Sequence, residues 1–154
     1  MFYIGGALQG YETDPLAIGV AWSKTPTEAR EWTSLAENPV LSRAQPDVRE
    51  FEKVTLYKSQ IIWDNARTLV HFFVMFYNGK CKTGERIGMA VSDDLVHWTK
   101  WTGPHLVESS ESCDKAYAHK PWVIKHDGVV YHFYCAVGDQ GRVIALATSK
   151  EFPH

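Results

Sequence analysis

A short aromatic phrase occurs three times along this chain, and each copy is followed by a second repeated phrase. The first phrase spans Phe2–Gly5, recurs over Phe76–Gly79 and returns more loosely over Phe133–Ala136. From the second copy to the third, both phrases advance by 57 residues, whereas the preceding steps are 74 and 69 residues. A strand-rich repeat of roughly 40–60 residues is typical of a β-propeller, in which each repeat forms one blade. The copies of the second phrase begin at Ile18, Ile87 and Ile144.

Strand signals surround the second and third copies. Residues 69–77 and 129–136 are nearly continuous apolar and aromatic runs, which suit strands buried on both faces, as in blades stacked between neighbours. A further strand precedes each run, over 57–63 and 120–126, and the joins between them are short and turn-like. The isoleucine phrase follows each run as a third strand.

These strands predict a single, partial, all-β domain over residues 1–154. With the strands of a blade labelled A to D from the centre outward, residues 2–33 supply B, C and D. Residues 57–101 supply all four strands, and residues 119–149 supply A, B and C. Because propellers have four to eight blades, either the chain is a piece of a longer protein or copies associate to complete the ring. Bare strand edges favour self-association, and we expect a homo-oligomer, a dimer in the simplest case.

The composition excludes several other classes. A formal net charge of −2 argues against nucleic acid as the main partner, and no apolar run is long enough to span a membrane. The start of the chain lacks the features of a signal peptide, so the cytoplasm is slightly preferred. The three cysteines, Cys81, Cys113 and Cys135, have no metal-ligand spacing and are expected to be free thiols. We expect neither a metal nor a cofactor.

Strand order separates the acidic residues into two groups. Up-and-down connection places the A–B and C–D turns at the bottom of the propeller, and the B–C loops and D–A connections at the top, where the channel opens. The bottom acids should hydrogen-bond to local backbone in turns, and Trp32 and Trp98 should pack within blades. The bottom acids are Asp64, Asp93, Asp94 and Asp127. The top acids are Glu12, Asp14, Asp47, Glu50, Glu52, Glu85, Glu108, Glu111, Asp114 and Asp139.

Two inner strands carry a lysine at corresponding positions, Lys58 and Lys120. A lysine facing the channel requires a carboxylate partner or a bound ligand. Carboxylates that converge on a funnel beside cations suit glycoside hydrolysis, in which one acid is protonated and a second stays ionised.

The stretch Ile87–Trp98, with Phe76–Gly79 upstream, resembles the blade signature of five-bladed β-propeller glycosidases, the superfamily of glycoside hydrolase families 43, 62, 32 and 68. The segments 47–59 and 117–123 are similar to members of that superfamily. The resemblance implies a five-bladed propeller whose general base, general acid and third carboxylate come from different inner strands. His119–Pro121 stands where family 43 opens an inner strand with Asp-Pro.

Carried over by position, the resemblance implies two sets of site residues. The catalytic candidates are Asp47, Glu50, Glu52, Asp114 and, as a third carboxylate, Glu85. The candidates for binding the carbohydrate substrate are Arg49, Tyr57, Lys58, His119, Lys120, Trp122, Asp139 and Arg142.

The favoured function is a glycosidase that releases arabinofuranosyl, xylosyl or fructosyl units from a polysaccharide or oligosaccharide. The clustered acids of the top face support it. The first blade lacks its A strand and the third lacks its D strand, which favours the alternative, a non-catalytic carbohydrate-binding or self-assembling propeller fragment. A protein–protein scaffold also stays open.

Overall fold

The computed structural model describes residues 1–10 and 12–150, and the strands it contains form an incomplete β-propeller. Three antiparallel blades follow one another along the chain. Blade 1 has the order β1-β2-β3, blade 2 has β4-β5-β6-β7 and blade 3 has β8-β9-β10. A single parallel pairing joins blade 2 to blade 3. The strands are β1 (Phe2–Gly6), β2 (Leu16–Trp22), β3 (Thr33–Ser34), β4 (Thr55–Trp63), β5 (Phe73–Cys81), β6 (Gly84–Ser92), β7 (Thr99–Lys100), β8 (Tyr117–His126), β9 (Val129–Gly138) and β10 (Gly141–Thr148).

This strand order confirms the predicted fold class. β4 and β8 are inner A strands, and each pairs with the B strand that follows it, β5 or β9. The one helical element among the described residues, the short 3-10 helix Glu50–Glu52, lies in the connection from blade 1 to blade 2. Within the same described ranges, no helix is long and apolar enough to cross a membrane.

The two repeated phrases meet across the B and C strands of every blade. Tyr3 pairs with Gly19, and Tyr77 pairs with Gly88. A Cβ on either glycine would lie 2.8 Å from the Cζ of its paired tyrosine, so the ring covers the space that a side chain would fill. The third blade keeps the arrangement with a small residue at that position, Ala145 opposite Tyr134. The repeat therefore encodes an aromatic ring lying flat over the next strand.

Two apolar cores lie between successive blades. The core between blades 1 and 2 is built around Ile18, Leu41, Phe51, Leu56, Met75 and Tyr77. The core between blades 2 and 3 is built around Val74, Phe76, Ile87, Met89, Val123 and Tyr134. Strands such as β5 are buried on both faces because they contribute alternate side chains to both cores.

In the bottom turns, Asp64 and Asp94 hydrogen-bond to local backbone, as the sequence predicts. Asp64 Oδ2 accepts a hydrogen bond from the backbone N–H of Thr68 at 2.8 Å. Asp94 Oδ1 accepts from the N–H groups of Val96 and His97 at 2.9 and 2.8 Å. These acids stabilise hairpins and lie away from the channel mouth. The three cysteines are free thiols, as predicted.

The outer face of blade 3 is apolar and uncovered. Ile144 is 81% exposed and Trp122 is 61% exposed, and Ile124 and Leu146 are exposed beside them. β10 is an edge strand, because it pairs with β9 alone among the described strands. Blade 1 likewise ends in the open strand β1.

His132 makes the core between blades 2 and 3 sensitive to acid. Its side chain is buried, its ring packs edge-on against Phe76 at 5.5 Å, and burial lowers its pKa to about 4. An unfolded histidine titrates near pH 6.5, so between about pH 6.5 and 4 the unfolded chain binds the extra proton. The stability that neutral His132 contributes is complete above that window and is lost as the pH falls through it.

We therefore expect His132 to account for roughly 3 kcal/mol of lost stability between pH 7 and pH 4. The measurement is urea unfolding across that range for the native chain and for His132→Phe, which keeps an aromatic ring and removes the titrating group. As the pH falls from 7 to 4, the stability of the native chain should drop by roughly 3 kcal/mol relative to that of His132→Phe, so that the two curves separate toward acid pH. Parallel curves would contradict a buried neutral histidine.

Candidate active site

A cleft of about 270 Å³ opens where the three blades meet at the top of the propeller. The loop between β1 and β2, the start of the C strands and the upper part of both inner strands form its walls. Its lining is strongly polar and carries both signs of charge. The lining residues are Glu12, Asp14, Leu16, Tyr57, Lys80, Glu85, Tyr117, His119, Lys120 and Arg142.

The two inner strands reach the cleft through the same backbone irregularity. The pairing of β4 shifts register between Tyr57 and Gln60, and that of β8 shifts between His119 and Trp122. Lys58 has a φ of 52° and Lys120 a φ of 57°, both in the left-handed region that residues other than glycine rarely adopt. Bulges of this kind re-aim side chains and are frequent beside active sites.

Glu85 is the central carboxylate of the cleft. It is buried, and its Oε2 accepts hydrogen bonds from the Tyr57 hydroxyl at 2.6 Å and from His119 Nδ1 at 2.5 Å. Burial by itself raises the pKa of Glu85, but the hydrogen bonds from His119 and Tyr57, with the charge of Lys80, outweigh it and lower the pKa overall. Glu85 is therefore an ionised carboxylate. Among the described residues, its Oε1 has no hydrogen-bond partner.

The groups around Glu85 are held in fixed roles. Arg142 Nη1 lies 3.5 Å from His119 Nε2, and a guanidinium carries donors only. The guanidinium therefore faces one ring nitrogen of His119, and the other ring nitrogen, Nδ1, contacts Glu85. Burial, together with the hydrogen bond to Glu85 and its charge, raises the pKa of Tyr57, so that its hydroxyl remains a donor.

Two further carboxylates enter the cleft from the loop between β1 and β2. Asp14 forms an ion pair with Lys80 at 2.8 Å, and Glu12 forms an ion pair with Lys58. The hydrogen bond that Lys80 donates to Asp14 raises the pKa of Lys80, despite partial burial. In the part of the chain that the structure describes, no group of three or more His, Cys, Asp or Glu side chains is arranged to hold a metal ion.

The structure does not bring Glu52 to the cleft. Its side chain is fully buried in the connection between blades 1 and 2. Its carboxylate accepts hydrogen bonds from the Tyr77 hydroxyl at 2.5 Å, from Lys100 Nζ at 2.8 Å and from the Arg49 backbone N–H at 2.9 Å. Both of its oxygens are therefore engaged by structural partners.

Asp114 occupies the equivalent place one blade later and is also absent from the cleft. It is fully buried, and the Tyr134 hydroxyl donates to its Oδ2 at 2.8 Å. Its Oδ1 accepts from the backbone N–H groups of Ser110 and Glu111 at 2.9 and 2.8 Å. Tyr134 and Tyr77 hold the same position in the repeated phrase. A buried carboxylate from each blade connection therefore anchors the repeat tyrosine, in place of the expected convergence with Glu85.

The remaining candidates divide between the cleft and the surface. Tyr57, Lys58, Glu85, His119, Lys120 and Arg142 lie together at the cleft. Outside it, Arg49 donates to the Trp101 and Gly103 carbonyls, Asp47 pairs with Lys100, Glu50 with Lys53 and Asp139 with Lys115, while Trp122 lies on the outer face of blade 3.

Besides Leu16, four lining residues with polar side chains are absent from the predicted site. The sequence predicts Glu12 and Asp14 at the top face without a role in the site, includes Tyr117 only in a segment similar to the superfamily, and gives no indication for Lys80. The pairing of β5 with β6 is the feature that could have identified Lys80, because Lys80 lies directly opposite Glu85 at the end of the B strand. Tyr117 begins the inner strand β8, two residues before His119.

Comparison with known proteins gives structural relatives only. No family model matches the chain, and no curated protein matches it. A structure described as a complex of BT0996 and RGII is 36% identical over 97% of this chain, with a TM-score of 0.53. A second, described as a glycoside hydrolase, is 34% identical over 98% of this chain, with a TM-score of 0.52. A thermostable family-43 glycoside hydrolase shares the fold, with a TM-score of 0.65 over 89% of this chain at 19% identity.

The chain spans 62% of the length of each of the first two structures and 43% of the third. The matches confirm the resemblance to propeller glycoside hydrolases that the repeated phrases indicate. They also agree with a chain that supplies part of a propeller.

Proposed function

Because the chain is a structural relative of propeller glycoside hydrolases, we propose that it takes part in hydrolysis of a glycosidic bond at the cleft around Glu85. The substrate is a terminal glycosyl unit of the arabinofuranosyl, xylosyl or fructosyl type. One relative was solved as a complex with RGII. A volume of about 270 Å³ lies just below the usual range for ligand pockets, which favours one sugar end over an internal stretch of polymer.

The observation that carries this proposal is the environment of Glu85. A buried carboxylate with a lowered pKa, one of whose oxygens has no hydrogen-bond partner among the described residues, can activate water or attack the anomeric carbon. Tyr57 and His119 both donate to its other oxygen, which fixes the orientation of the carboxylate. Pre-positioning of this kind lowers the reorganisation needed in the transition state.

A second carboxylate has to protonate the leaving oxygen. The loop between β1 and β2 supplies Glu12 and Asp14 to the same cleft. We assign the role of general acid to one of these two residues. We assign Glu52 and Asp114 a structural role, because each accepts a hydrogen bond from a repeat tyrosine.

The direct test is release of chromophore from a panel of aryl α- and β-glycosides carrying arabinofuranosyl, xylosyl and fructosyl groups. Hydrolysis of at least one by the native chain is the expected result. Saturable binding of the same glycosides without turnover would remove the enzymatic proposal.

One observation favours a second function, carbohydrate binding without hydrolysis. The two carboxylates that share the cleft with Glu85 are both paired with lysines, Lys58 and Lys80, whereas a general acid must carry a proton. The glycoside panel separates the two functions, because a binding module gives a calorimetric signal with no released chromophore.

We also propose that copies of the chain associate through the outer face of blade 3. The face combines exposed apolar side chains, among them Ile144 and Trp122, with the unpaired edge of β10. Light scattering should give twice the chain mass, and Ile144→Glu should shift the protein toward monomer because a charge is costly to bury at an apolar contact. A native monomer at high concentration would contradict this assembly.

A further inference from the structure

The inner strands of blades 2 and 3 contribute equivalent positions to the cleft. The charged groups around these positions differ between the two blades. In blade 2, Tyr57 lies opposite Asn78, the residue after the repeat tyrosine. In blade 3, His119 lies opposite Cys135, which again follows the repeat tyrosine. Lys58 and Lys120 are therefore equivalent by register as well as by their shared left-handed backbone.

The lysine of blade 2 has a carboxylate partner that the lysine of blade 3 lacks. Lys58 pairs with Glu12, which comes from the B–C loop of the preceding blade, residues 7–15. The corresponding loop before blade 3 consists of Lys82 and Thr83 alone, so it offers no acid. Within residues 1–10 and 12–150, Lys120 has no ion-pair partner, and its side chain is exposed to the cleft.

A second difference between the two blades adds another positive charge in blade 3. Glu85 stands two residues before the repeated Ile87, and Arg142 stands two residues before Ile144. Arg142 thus occupies in blade 3 the position that carries the central carboxylate in blade 2. It is exposed to the cleft, its Nη1 lies 3.5 Å from His119 Nε2, and it pairs with no carboxylate among the described residues.

Building on the proposed function, we infer that the blade 3 side of the cleft binds a carboxylate group of the substrate, so that the preferred glycan contains an acidic sugar next to the bond that is cleaved. Two neighbouring cations without carboxylate partners make this side of the cleft attractive to an anionic group of a ligand. The planar guanidinium of Arg142 matches the two oxygens of a carboxylate, and Lys120 supplies a mobile second donor. Lys58 and Lys80 neutralise Glu12 and Asp14, and Glu85 contributes one negative charge against the two cations Lys120 and Arg142, so this side of the cleft stays net positive.

The test is an NMR titration of the full chain with three monosaccharide probes: galacturonic acid, its methyl ester and galactose 6-sulfate. We expect galacturonic acid to bind at least ~10-fold more tightly than the uncharged ester, and more tightly than the sulfate. In Arg142→Gln, affinity for the acid should fall about 10- to 100-fold, the range of a charge-assisted hydrogen bond, while affinity for the ester stays unchanged. Lys120→Gln should give a smaller loss in the same direction.

Lys115→Gln is the matched control, because Lys115 is an exposed lysine that pairs with Asp139 outside the cleft. It should bind all three probes as the native chain does. Equal binding of acid and ester by the native chain would overturn the inference, as would tighter binding of the sulfate or unchanged acid binding in Arg142→Gln.

Failure of this inference is distinguishable from failure of the proposed function. Hydrolysis of neutral aryl glycosides with no preference for the acid would remove the carboxylate site and leave the enzymatic proposal standing. Tight, Arg142-dependent binding of the acid with no hydrolysis of any glycoside would support the carboxylate site and contradict the enzymatic proposal.

Discussion

Replacing Glu85 with glutamine is expected to lower the rate of glycoside hydrolysis by about 10³-fold or more while the fold is retained. An amide can neither activate water nor attack carbon, and a positioned carboxylate in such a role contributes roughly 10²–10⁴-fold. Glutamine has the same shape, and its carbonyl oxygen can still accept from Tyr57 and His119. The measurement is kcat on the best aryl glycoside of the panel, with circular dichroism to verify folding.

Glu50→Gln provides the control for that experiment. Glu50 is a top-face carboxylate on the same chain, and it forms an exposed ion pair with Lys53 outside the cleft. Its removal should leave kcat unchanged. A Glu85→Gln protein that keeps more than about a tenth of native kcat would show that the reacting carboxylate is another residue.

Replacing Glu52 with alanine is expected to destabilise the folded chain by about 3 kcal/mol or more. The change leaves the ammonium of Lys100 buried, with its side chain only 2% exposed, and it removes the acceptor of the Tyr77 hydroxyl. Breaking one partner of a buried ion pair commonly costs about 3–5 kcal/mol, and Asp47, 3.2 Å from Lys100 Nζ, offsets part of that loss. Urea unfolding followed by tryptophan fluorescence measures the difference.

The exposed ion pair of Glu50 with Lys53 provides the control, because Glu50→Ala should change the free energy of unfolding by less than about 1 kcal/mol. A second variant, Glu52→Gln, separates structure from catalysis. Its folded fraction should hydrolyse glycosides at the native rate if Glu52 is structural. Loss of turnover in folded Glu52→Gln would restore the catalytic assignment that sequence position alone indicates.

Residues near the repeated phrases could be predicted because their environment is local. Tyr77 and Gly88 meet across adjacent strands, so the phrase that contains each of them already specifies the blade. Glu85 lies at the start of a C strand, and strand order alone places it at the channel. Lys58 and Lys120 follow from the same argument, because inner strands of successive blades carry them at matching positions.

The acids of the long blade connections could not be placed in this way. Glu52 and Asp114 lie in irregular segments whose side-chain directions depend on how the segment folds back over the blade. Both turn inward to the repeat tyrosines, Tyr77 and Tyr134. No periodicity in the sequence distinguishes an acid that anchors a tyrosine from one that reaches the channel.

The sequence by itself determined the blades, since alternation and pairing act between neighbours in the chain and leave a repeated pattern of residues. Only the tertiary structure decided which charged groups share the cleft and which of them are neutralised. Lys58 meets Glu12 and Arg142 approaches His119 through contacts between separate elements, and such contacts depend on how the blades and loops pack together rather than on any spacing along the chain.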